Sequence, residues 1–334
     1  MARDTVFQQT QIGVEGTKGT AVPAIHILPA TSFDTGIKAE VSAFRPGGQK
    51  YVTQASLNRE WVEASIRGQP SYSDLLFLLA ACLCDPVSTQ QAATTAYKHV
   101  FTLKPAAPDV IKTLTVEQGD PSTWSAGVIA HEWCYGVVSE LGLEWRRTAE
   151  PSLSGRMVGR RLDTKGETMT PATSLDEMPI IPNDVSLYLD PSLATIGTTK
   201  LTSVSRAAWH MANRFNPRWA LNATETSWSR EVETAPELTF KMLMEADAAG
   251  MGPLANMRVG SDVFLRLAAV SAVAAGVGFP YSLTINMAAK VTGVGDFSDD
   301  DGVYALEWTF TATPELAADS PCTIELVNKN ADVA

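Results

Sequence analysis

Charged side chains are scarce in this chain of 334 residues, because Asp, Glu, Lys and Arg together make up only 19% of it. Soluble domains typically carry about 25% charged residues. A low share of charge is typical of a protein that covers part of its surface with contacts between subunits. Histidine is scarcer still, with four scattered residues, so no spacing indicates a Ser-His-Asp or Cys-His arrangement. We therefore expect no catalytic residues and no enzymatic activity.

Cysteine is also sparse, and its four residues form no CxxC pair: Cys82, Cys84, Cys134 and Cys322. Two of them are only two positions apart on a predicted helix, where they point to different faces and make a poor metal pair. The pattern is typical of free buried thiols in a reducing compartment. We expect no disulfide framework, no metal site and no cofactor.

Basic residues are the minority of the charges, with 26 Lys and Arg against 37 Asp and Glu and a formal net charge of −11. The chain thus lacks the basic footprint of a nucleic-acid-binding protein. An acidic surface repels phosphate, so it suits a protein past which nucleic acid must move without sticking.

Long apolar runs are absent. The longest stretch, Leu75 to Leu83, is far too short to span a bilayer, and the N-terminal MARDTVFQQTQIG has no apolar core of a signal peptide. These features predict a protein that functions without membrane insertion.

The feature that is present is an internal repeat of pattern. The stretch from Leu57 to Leu83 reads as an alternating segment, a proline, and an apolar run, and Trp219 to Met251 reads in the same way, with ELTFKMLMEADAAGM as its apolar run. Each half continues with three more strand-like segments, so the predicted order is strand, helix, strand, strand, strand, twice over. A duplicated β-rich unit without catalytic residues favours a building block over an enzyme.

This pattern predicts a mainly β chain of the β-rich α+β class, built from two tandem β-sandwich or half-barrel units with one flanking α-helix each. We expect an extended N-terminal arm over 1–35, a first unit over 36–162, a linker over 163–182 and a second unit over 183–334. The first helix is expected to begin near Ser73, with Ser73 or Asp74 as its cap, and to end near Asp85-Pro86.

Two segments hold corresponding positions just before the long strand of each half, FRPGGQKY at 44–51 and MANRFNPRW at 211–219. Their Pro-Gly and Asn-Pro signals predict projecting loops that contact a neighbouring subunit. The candidate contact residues are Arg45, Lys50, Arg214, Arg218 and Trp219.

Three short motifs touch on ligand chemistry, and each fails. In GVEGTKGT, Lys18 precedes Gly19 instead of following it as a phosphate loop requires. The HExxH zinc pattern needs a second histidine where Tyr135 stands. In DFSDDDG, Phe297 and Trp308 occupy the first and last ligand positions of a calcium loop, so an acidic hairpin turn is favoured, with weak cation binding at 296–301 left open.

Several segments resemble the tail tube (major tail) proteins of bacteriophages with long, non-contractile tails. The N-terminal GVEGTKGTAVPA is similar to a G-x-E-x-x-x-G-T-A opening of that family. TLTVEQGD, VSLYLD with GTTKL, ANRFNPRWALN, APELTFKM, YSLTINMAAKV and DGVYALEWTFTA follow in the family's order. The resemblance covers most of the chain, and its specificity comes from the order of the segments.

The resemblance implies tail-tube-like units that form rings, which stack into a hollow tube in the virion tail after assembly in the cytoplasm of the bacterial host. A chain with two fused units implies trimeric rings of pseudo-sixfold symmetry, with hexameric rings as the alternative. It also implies a tape-measure protein, a tail terminator and distal tail or baseplate proteins as partners, and passage of DNA through the lumen.

Acidic side chains facing the lumen would repel the phosphates of passing DNA. The candidates are Glu60 and Glu63 in the first half and Glu225 and Glu231 in the second. Strand alternation lets only some of them face inward, and an outward, solvated position is equally compatible with the sequence.

The alternatives are another virion tail component, such as a terminator or decoration subunit, and a ligand-binding β-barrel or lectin. Polymerisation of the purified protein distinguishes the tail tube from both, because neither of them forms tubes by itself.

Overall fold

The structure is a computed structural model that describes residues 8–120, 130–166, 169–222, 225–314 and 320–333. It is mainly β, with 56% strand and 7% helix, and the described residues contain two α-helices. Globular proteins typically have 20–25% strand, so the predicted β-rich α+β class is confirmed.

The elements of the first half are bounded as follows: β1 (Gln9–Val14), β2 (His26–Ile27), β3 (Thr31–Phe44), β4 (Gln54–Gly68), α1 (Asp74–Cys82), β5 (Val87–Gln90), β6 (Tyr97–Thr102), β7 (Leu114–Gly119), β8 (Ala130–Arg146), β9 (Ala149–Gly159), β10 (Leu162–Gly166) and β11 (Thr173–Ser174).

Those of the second half are β12 (Val185–Asp190), β13 (Lys200–Leu201), β14 (Val204–Ala212), β15 (Phe215–Arg218), β16 (Arg230–Glu233), β17 (Glu237–Glu245), α2 (Pro253–Val259), β18 (Val263–Gly276), β19 (Phe279–Val294), β20 (Ser298–Asp300), β21 (Val303–Ala312) and β22 (Cys322–Asn328). Two short 3-10 turns cover Pro182–Asp184 and Leu193–Thr195.

The first helix lies where the apolar run predicts it, and all nine of its residues are buried. Its predicted cap is wrong, because the side chain of Ser73 makes no capping hydrogen bond. The Oγ of Ser71 instead accepts hydrogen bonds from the amides of Ser73 and Asp74, both at 3.2 Å. Asp74 is turned away to accept hydrogen bonds from the amide of Ala30 and the hydroxyl of Thr31. This carboxylate therefore ties the helix to the start of β3.

The second helix is not where the repeat pattern predicts it. The segment ELTFKMLME forms strand β17, and α2 follows eight residues later. The reason is a period of two, because four alternate side chains of β17 are buried: Leu238, Phe240, Met242 and Met244. The helix begins at Pro253, a favourable first helical residue, and ends at Val259, which is followed by Gly260, whose φ of 70° suits a left-handed cap.

Six antiparallel pairings, formed by seven strands, occur in both halves in the same chain order. In both halves the α-helix follows the fourth of these seven strands. In the first half they are β1–β2, β1–β7, β3–β4, β4–β9, β7–β8 and β8–β9. In the second half they are β12–β13, β12–β18, β14–β17, β17–β21, β18–β19 and β19–β21.

The two halves share one sheet, because β8 of the first half pairs with β14 of the second. One run of strands therefore has the order β3-β4-β9-β8-β14-β17-β21-β19. A second crossing joins β6 to β22. One hydrophobic core extends through both halves and includes the buried indoles of Trp133, Trp209 and Trp308.

The described parts of the predicted N-terminal segment (1–35) and of the predicted linker lie within the fold rather than outside it. In the N-terminal segment, β1 pairs with β7 along its whole length and Ile12 is fully buried. In the linker, β10 pairs with β8, and Ile180 is buried with its amide donating to the carbonyl of Pro70. Their glycine, threonine and proline content indicated irregular chain, but tertiary pairing decides their place.

Candidate functional surface

A long hairpin formed by β3 and β4, with 14 and 15 residues, projects beyond the core. We call residues 37–59 of this hairpin the arm. The base of the hairpin, below the arm, forms a strand pairing with β9, and that pairing ends at Val62. From Ile37 to Phe44 the strand extends for about 25 Å at the usual rise per residue. The arm exposes six large apolar side chains: Ile37, Val41, Phe44, Tyr51, Val52 and Leu57.

The predicted projecting loop of the first half is the tip of this arm. Residues 45–53 connect its two strands, and both Arg45 and Lys50 are exposed there. The Lys50 ammonium lies 5.9 Å from the centre of the Tyr51 ring. These two basic residues are therefore exposed at the tip of the arm, and their contact with a neighbouring subunit stays a prediction.

The corresponding segment of the second half does not project, because it folds back over the first half. Its strands β15 and β16 pair with each other. Trp228 is buried with its ring centre 4.2 Å from that of Tyr135. Trp219 packs edge-on against Trp61 at 5.5 Å, so it is engaged within the chain. Arg218 is exposed and stays a candidate contact residue.

The expected role of Arg214 in subunit contacts does not fit the structure. Its side chain is 1% exposed and is fully engaged inside the chain. The guanidinium donates to the carbonyls of Cys82 and Leu83 at the end of α1, and it forms ion pairs with Asp109 and Glu233. Arg214 therefore fastens the folded-back segment to the first half, and its charge does not reach the surface.

All four acidic lumen candidates have donors within the chain, and three of them lie away from the open sheet face on which Glu63 is found. Glu60 lies on the core side of β4 and accepts a hydrogen bond from the hydroxyl of Thr226 at 2.6 Å. Glu225 accepts one from the amide of Ser227. Glu231 forms an ion pair with Lys18.

Glu231 also accepts a hydrogen bond from the hydroxyl of Tyr135 at 2.6 Å. Burial opposes ionisation of this carboxyl, but the hydrogen bonds from Lys18 and Tyr135 outweigh it and lower the pKa of Glu231. A carboxylate held in this way belongs to the packing of the folded-back segment rather than to an open acidic surface.

Glu63 is the candidate that lies on the face of the long sheet away from the core, which we call the open face. The buried positions of β4 are Val62, Ala64 and Ile66, so alternation places Glu63 on the opposite side. There it forms an ion pair with Arg156 of β9 at 2.8 Å. Burial opposes ionisation of Glu63, but hydrogen bonds from Trp61 and Arg156 lower its pKa.

The open face carries paired charges of both signs on six strands, counting β4 and β9, which supply Glu63 and Arg156. Arg206 of β14 contacts Glu144 of β8 at 2.9 Å and Glu307 of β21 at 3.3 Å. Lys241 of β17 lies 3.6 Å from the same Glu307. The Nε2 of His210 is 2.9 Å from Glu140. The open face is therefore close to balanced in charge, and the acidic lumen expected from the sequence stays a prediction.

Sequence reasoning missed these open-face residues, although a signal for them exists. In GLEWR the charges of Glu144 and Arg146 are two positions apart and flank the buried Trp145. That spacing puts both charges on one face of a strand. The pairing of β8 with β14, which brings Arg206 beside them, has no local signal.

The described residues contain no group of three or more His, Cys, Asp or Glu side chains placed to hold a metal ion. The acidic segment at 296–301 ends in the hairpin turn that the sequence favoured, with the amide of Gly302 donating to Asp299. Neither described helix combines the length and apolar character needed to span a membrane.

Comparison with known proteins yields no match, either to a family model or to a curated protein.

Proposed function

We propose that this protein is a structural virion protein that assembles with copies of itself into stacked rings, and that these rings form the hollow tail tube of a bacteriophage. The tube is a passive conduit for the genome. The ordered series of segments that resembles the tail tube family supports this proposal, and the arm carries it.

The arm is the decisive feature because its apolar side chains have no cover. Phe44 and Tyr51 are 60% and 74% exposed, and Val41 is 59% exposed. Isolated apolar side chains on a surface are ordinary, but a row of them on a projecting hairpin marks an interaction site. A hairpin without a third strand or a packed layer is marginally stable in water, so the arm needs a neighbour.

The open face suits a surface along which DNA moves. Each cation of the Arg206 network lies within ion-pair distance of a carboxylate. Binding of a phosphate backbone depends on cations that are free to replace its counterions. Paired cations on a chain of net charge −11 offer little such binding.

The recurrence of six pairings supports a fused pair of units, and two acidic residues add to it. Glu15 directly follows β1, and its carboxylate accepts hydrogen bonds from the amides of Gly19 and Tyr135. Asp190 ends β12, the counterpart of β1, and accepts hydrogen bonds from the amides of Gly197 and Thr199. In both halves one carboxylate thus organises the loop after the first strand. Three copies of a two-unit chain complete a pseudo-sixfold ring.

This function places the protein in the virion tail, after assembly in the host cytoplasm. Its partners are then further copies of the chain, the tape-measure protein, the terminator and the distal tail or baseplate proteins. DNA is the cargo of the lumen.

The test is cryo-electron microscopy and sedimentation of the purified chain over a wide concentration range. Hollow tubes with three chains per ring support the proposal. Six chains per ring preserve the tube and overturn the fused pair of units. Single rings that never stack favour a terminator, and monomers at the highest concentration favour a ligand-binding β-barrel. Both of these results overturn the proposal.

A matched pair of variants tests the arm itself. Val41→Asp combined with Phe44→Asp places charge on the arm, whereas Val87→Asp changes a side chain that is 69% exposed on β5. We expect the arm variant to fold like the unmodified chain, judged by circular dichroism, and to form no tubes. The Val87 variant is expected to form tubes normally. Normal tubes from a folded arm variant would remove the main support for this function.

A further inference from the structure

The junction between the two halves is a strand pairing formed inside one chain. Residues 141–146 of β8 pair with residues 206–211 of β14 in antiparallel register. Its best-buried pairs are Trp209 opposite Leu143 and Met211 opposite Leu141.

The recurring pairings identify the counterpart of each junction strand in the other half. From Thr31, the first residue of β3, the pairing leads to Gly68 and from there to Leu153; two residues further along β9, Gly155 pairs with Leu141. From Val204, the first residue of β14, the pairing leads to Met244 and from there to Leu306; two residues further along β21, Trp308 pairs with Val294.

Leu141 therefore corresponds to Val294, and the start of β3 corresponds to the start of β14. The next pair along β4 and β17 gives the register of β3. Ser32 lies opposite Arg67 as Arg206 lies opposite Leu243, so Ile37 corresponds to Met211.

Both counterparts are open edges. Within the described part of the chain, β3 pairs with β4 along one edge and with no strand along the other. The side-chain Nε2 of Gln118 donates to the carbonyl of Phe33 on that free edge, and this oxygen keeps a second lone pair. Residues 290–294 of β19 and all of β20 pair only with β21 among the described strands.

We propose that β3 of one copy pairs with the Val294–Asp300 edge of a second copy, in the register of the internal β8–β14 junction. This inference rests on the proposed assembly of the chain with itself. Ile37 then lies opposite Val294, as Met211 lies opposite Leu141. Ile37 is 65% exposed and Val294 is 44% exposed in the single chain, so the pairing covers two apolar side chains that otherwise face water.

The contact is heterologous, since each copy offers one edge of each kind and keeps the other free after the first contact. Such a contact continues until the rotation closes a ring. Closure also removes the last exposed sheet edges, which would otherwise recruit other chains.

The two kinds of seam in such a ring differ in strength. Thr35 stands in the seam between copies where Trp209 stands in the internal junction, and Gly36 meets Gly295 where His210 meets Gly142. Backbone pairing dominates the seam between copies, whereas large buried side chains reinforce the internal one. The ring therefore alternates three tight seams with three weaker ones.

Disulfide trapping tests this register. Paired Cα atoms of neighbouring antiparallel strands lie about 4.5–5.5 Å apart, within the range that a disulfide accepts. We expect Ile37→Cys combined with Val294→Cys to form dimers and trimers on mild oxidation, seen on non-reducing gels. A one-residue irregularity before β20 places Ser298 opposite Ala305, as Glu144 lies opposite Ser152. Ser298 therefore corresponds to Glu144 and lies opposite Asp34, the counterpart of Ala208. Asp34→Cys with Ser298→Cys tests the same register at this second point, in case the first pair disturbs folding.

The matched control is the crossed pair, Ile37→Cys with Ser298→Cys. Its positions are about 10 Å or more apart in the proposed register, beyond the reach of a disulfide. Each single variant reports background coupling through Cys134, the native thiol that is not fully buried.

The outcomes separate the two proposals. If the unmodified chain forms rings or tubes but neither matched pair couples, or the crossed pair couples equally well, the seam is overturned and the proposed function stands. If the unmodified chain does not assemble at all, the proposed function fails, and the seam fails with it.

Discussion

Arg214 and Asp109 form an ion pair of 2.6 Å across 105 positions of sequence, and both side chains are at most 2% exposed. The pair joins the segment that follows β14 to the connection that precedes β7. It is therefore the most deeply buried electrostatic contact between the two halves among the described ion pairs.

Removing this guanidinium is expected to destabilise the chain strongly. Arg214→Ala leaves Asp109 buried without its partner and also frees the carbonyls of Cys82 and Leu83. Breaking a buried pair in this way costs about 3–5 kcal/mol. Urea denaturation followed by tryptophan fluorescence measures the loss. Arg218→Ala is the control, because Arg218 is exposed on the same segment; equal losses in the two variants would contradict the buried role.

A glycine of β9 gives a second prediction. A Cβ at Gly159 would lie 2.2 Å from Cε3 of the buried Trp133, so Gly159→Ala forces the indole or the strand to shift. Overpacking of this kind costs about 1–3 kcal/mol. At Gly16 a Cβ would meet no atom within 4 Å, so Gly16→Ala is the matched control. Thermal melting of both variants checks the prediction, and an unchanged Gly159→Ala protein would refute the close approach.

The buried carboxylate of Glu15 should be sensitive to a change that preserves its shape. It is 4% exposed and accepts four hydrogen bonds, from the amides of Gly19 and Tyr135 and the hydroxyls of Thr113 and Thr115. Glu15→Gln replaces one acceptor oxygen by a donor, which leaves donors facing each other at a cost of about 1–3 kcal/mol.

Chemical denaturation measures that change. The control is Glu237→Gln, which makes the same replacement at an exposed position of β17. If the two glutamate variants lose the same stability, the four hydrogen bonds of Glu15 contribute nothing specific.

The ion pairs of the open face predict that the stability of the fold depends on pH. Burial opposes ionisation of Glu144, but hydrogen bonds from Arg206 and Arg146 lower its pKa below the usual 4.5. A group whose pKa is lower in the folded state stabilises the fold above its unfolded pKa. That contribution is lost as the pH falls from about 4.5 through the folded pKa.

Glu144→Gln should therefore melt at a lower temperature than the unmodified chain at pH 7, and the difference should shrink on acidification towards pH 3. Melting curves at pH 7, 5, 4 and 3 measure it. A difference that stays constant over this range would show that the ionised form of Glu144 does not carry the effect.

Much of the fold follows from period-two alternation, and the errors arise where local pattern and tertiary pairing compete. Tyr304, Leu306, Trp308 and Phe310 predict the strand that β21 forms, and Leu306, Trp308 and Phe310 are buried in it. The segment ELTFKMLME contains as many good helix formers as strand formers, and its pairing with β14 and β21 decides for a strand. Local propensity cannot supply that information.

The candidate surface was predictable only in part. Pro46, Gly47 and Gly48 predict a turn, and the structure has a turn there, at the tip of the arm. Asn216 and Pro217 give a similar signal, but their segment folds inward because Trp228 and Phe215 find an apolar site at Tyr135 and Val137. A projecting loop and a folded-back loop thus share one local signature. The contact that separates them spans more than 70 positions of sequence.

The pairing of β8 with β14 also bears on the kinetics of assembly. Because both strands belong to one polypeptide, this junction forms at an effective concentration set by the chain and not by the amount of protein in the cell. In a closed ring of three copies, half of the seams would already exist before any encounter between molecules. Ring formation would then need two encounters between molecules and one closing step, instead of five encounters and one closing step, and intermediates with a misplaced single unit could not arise.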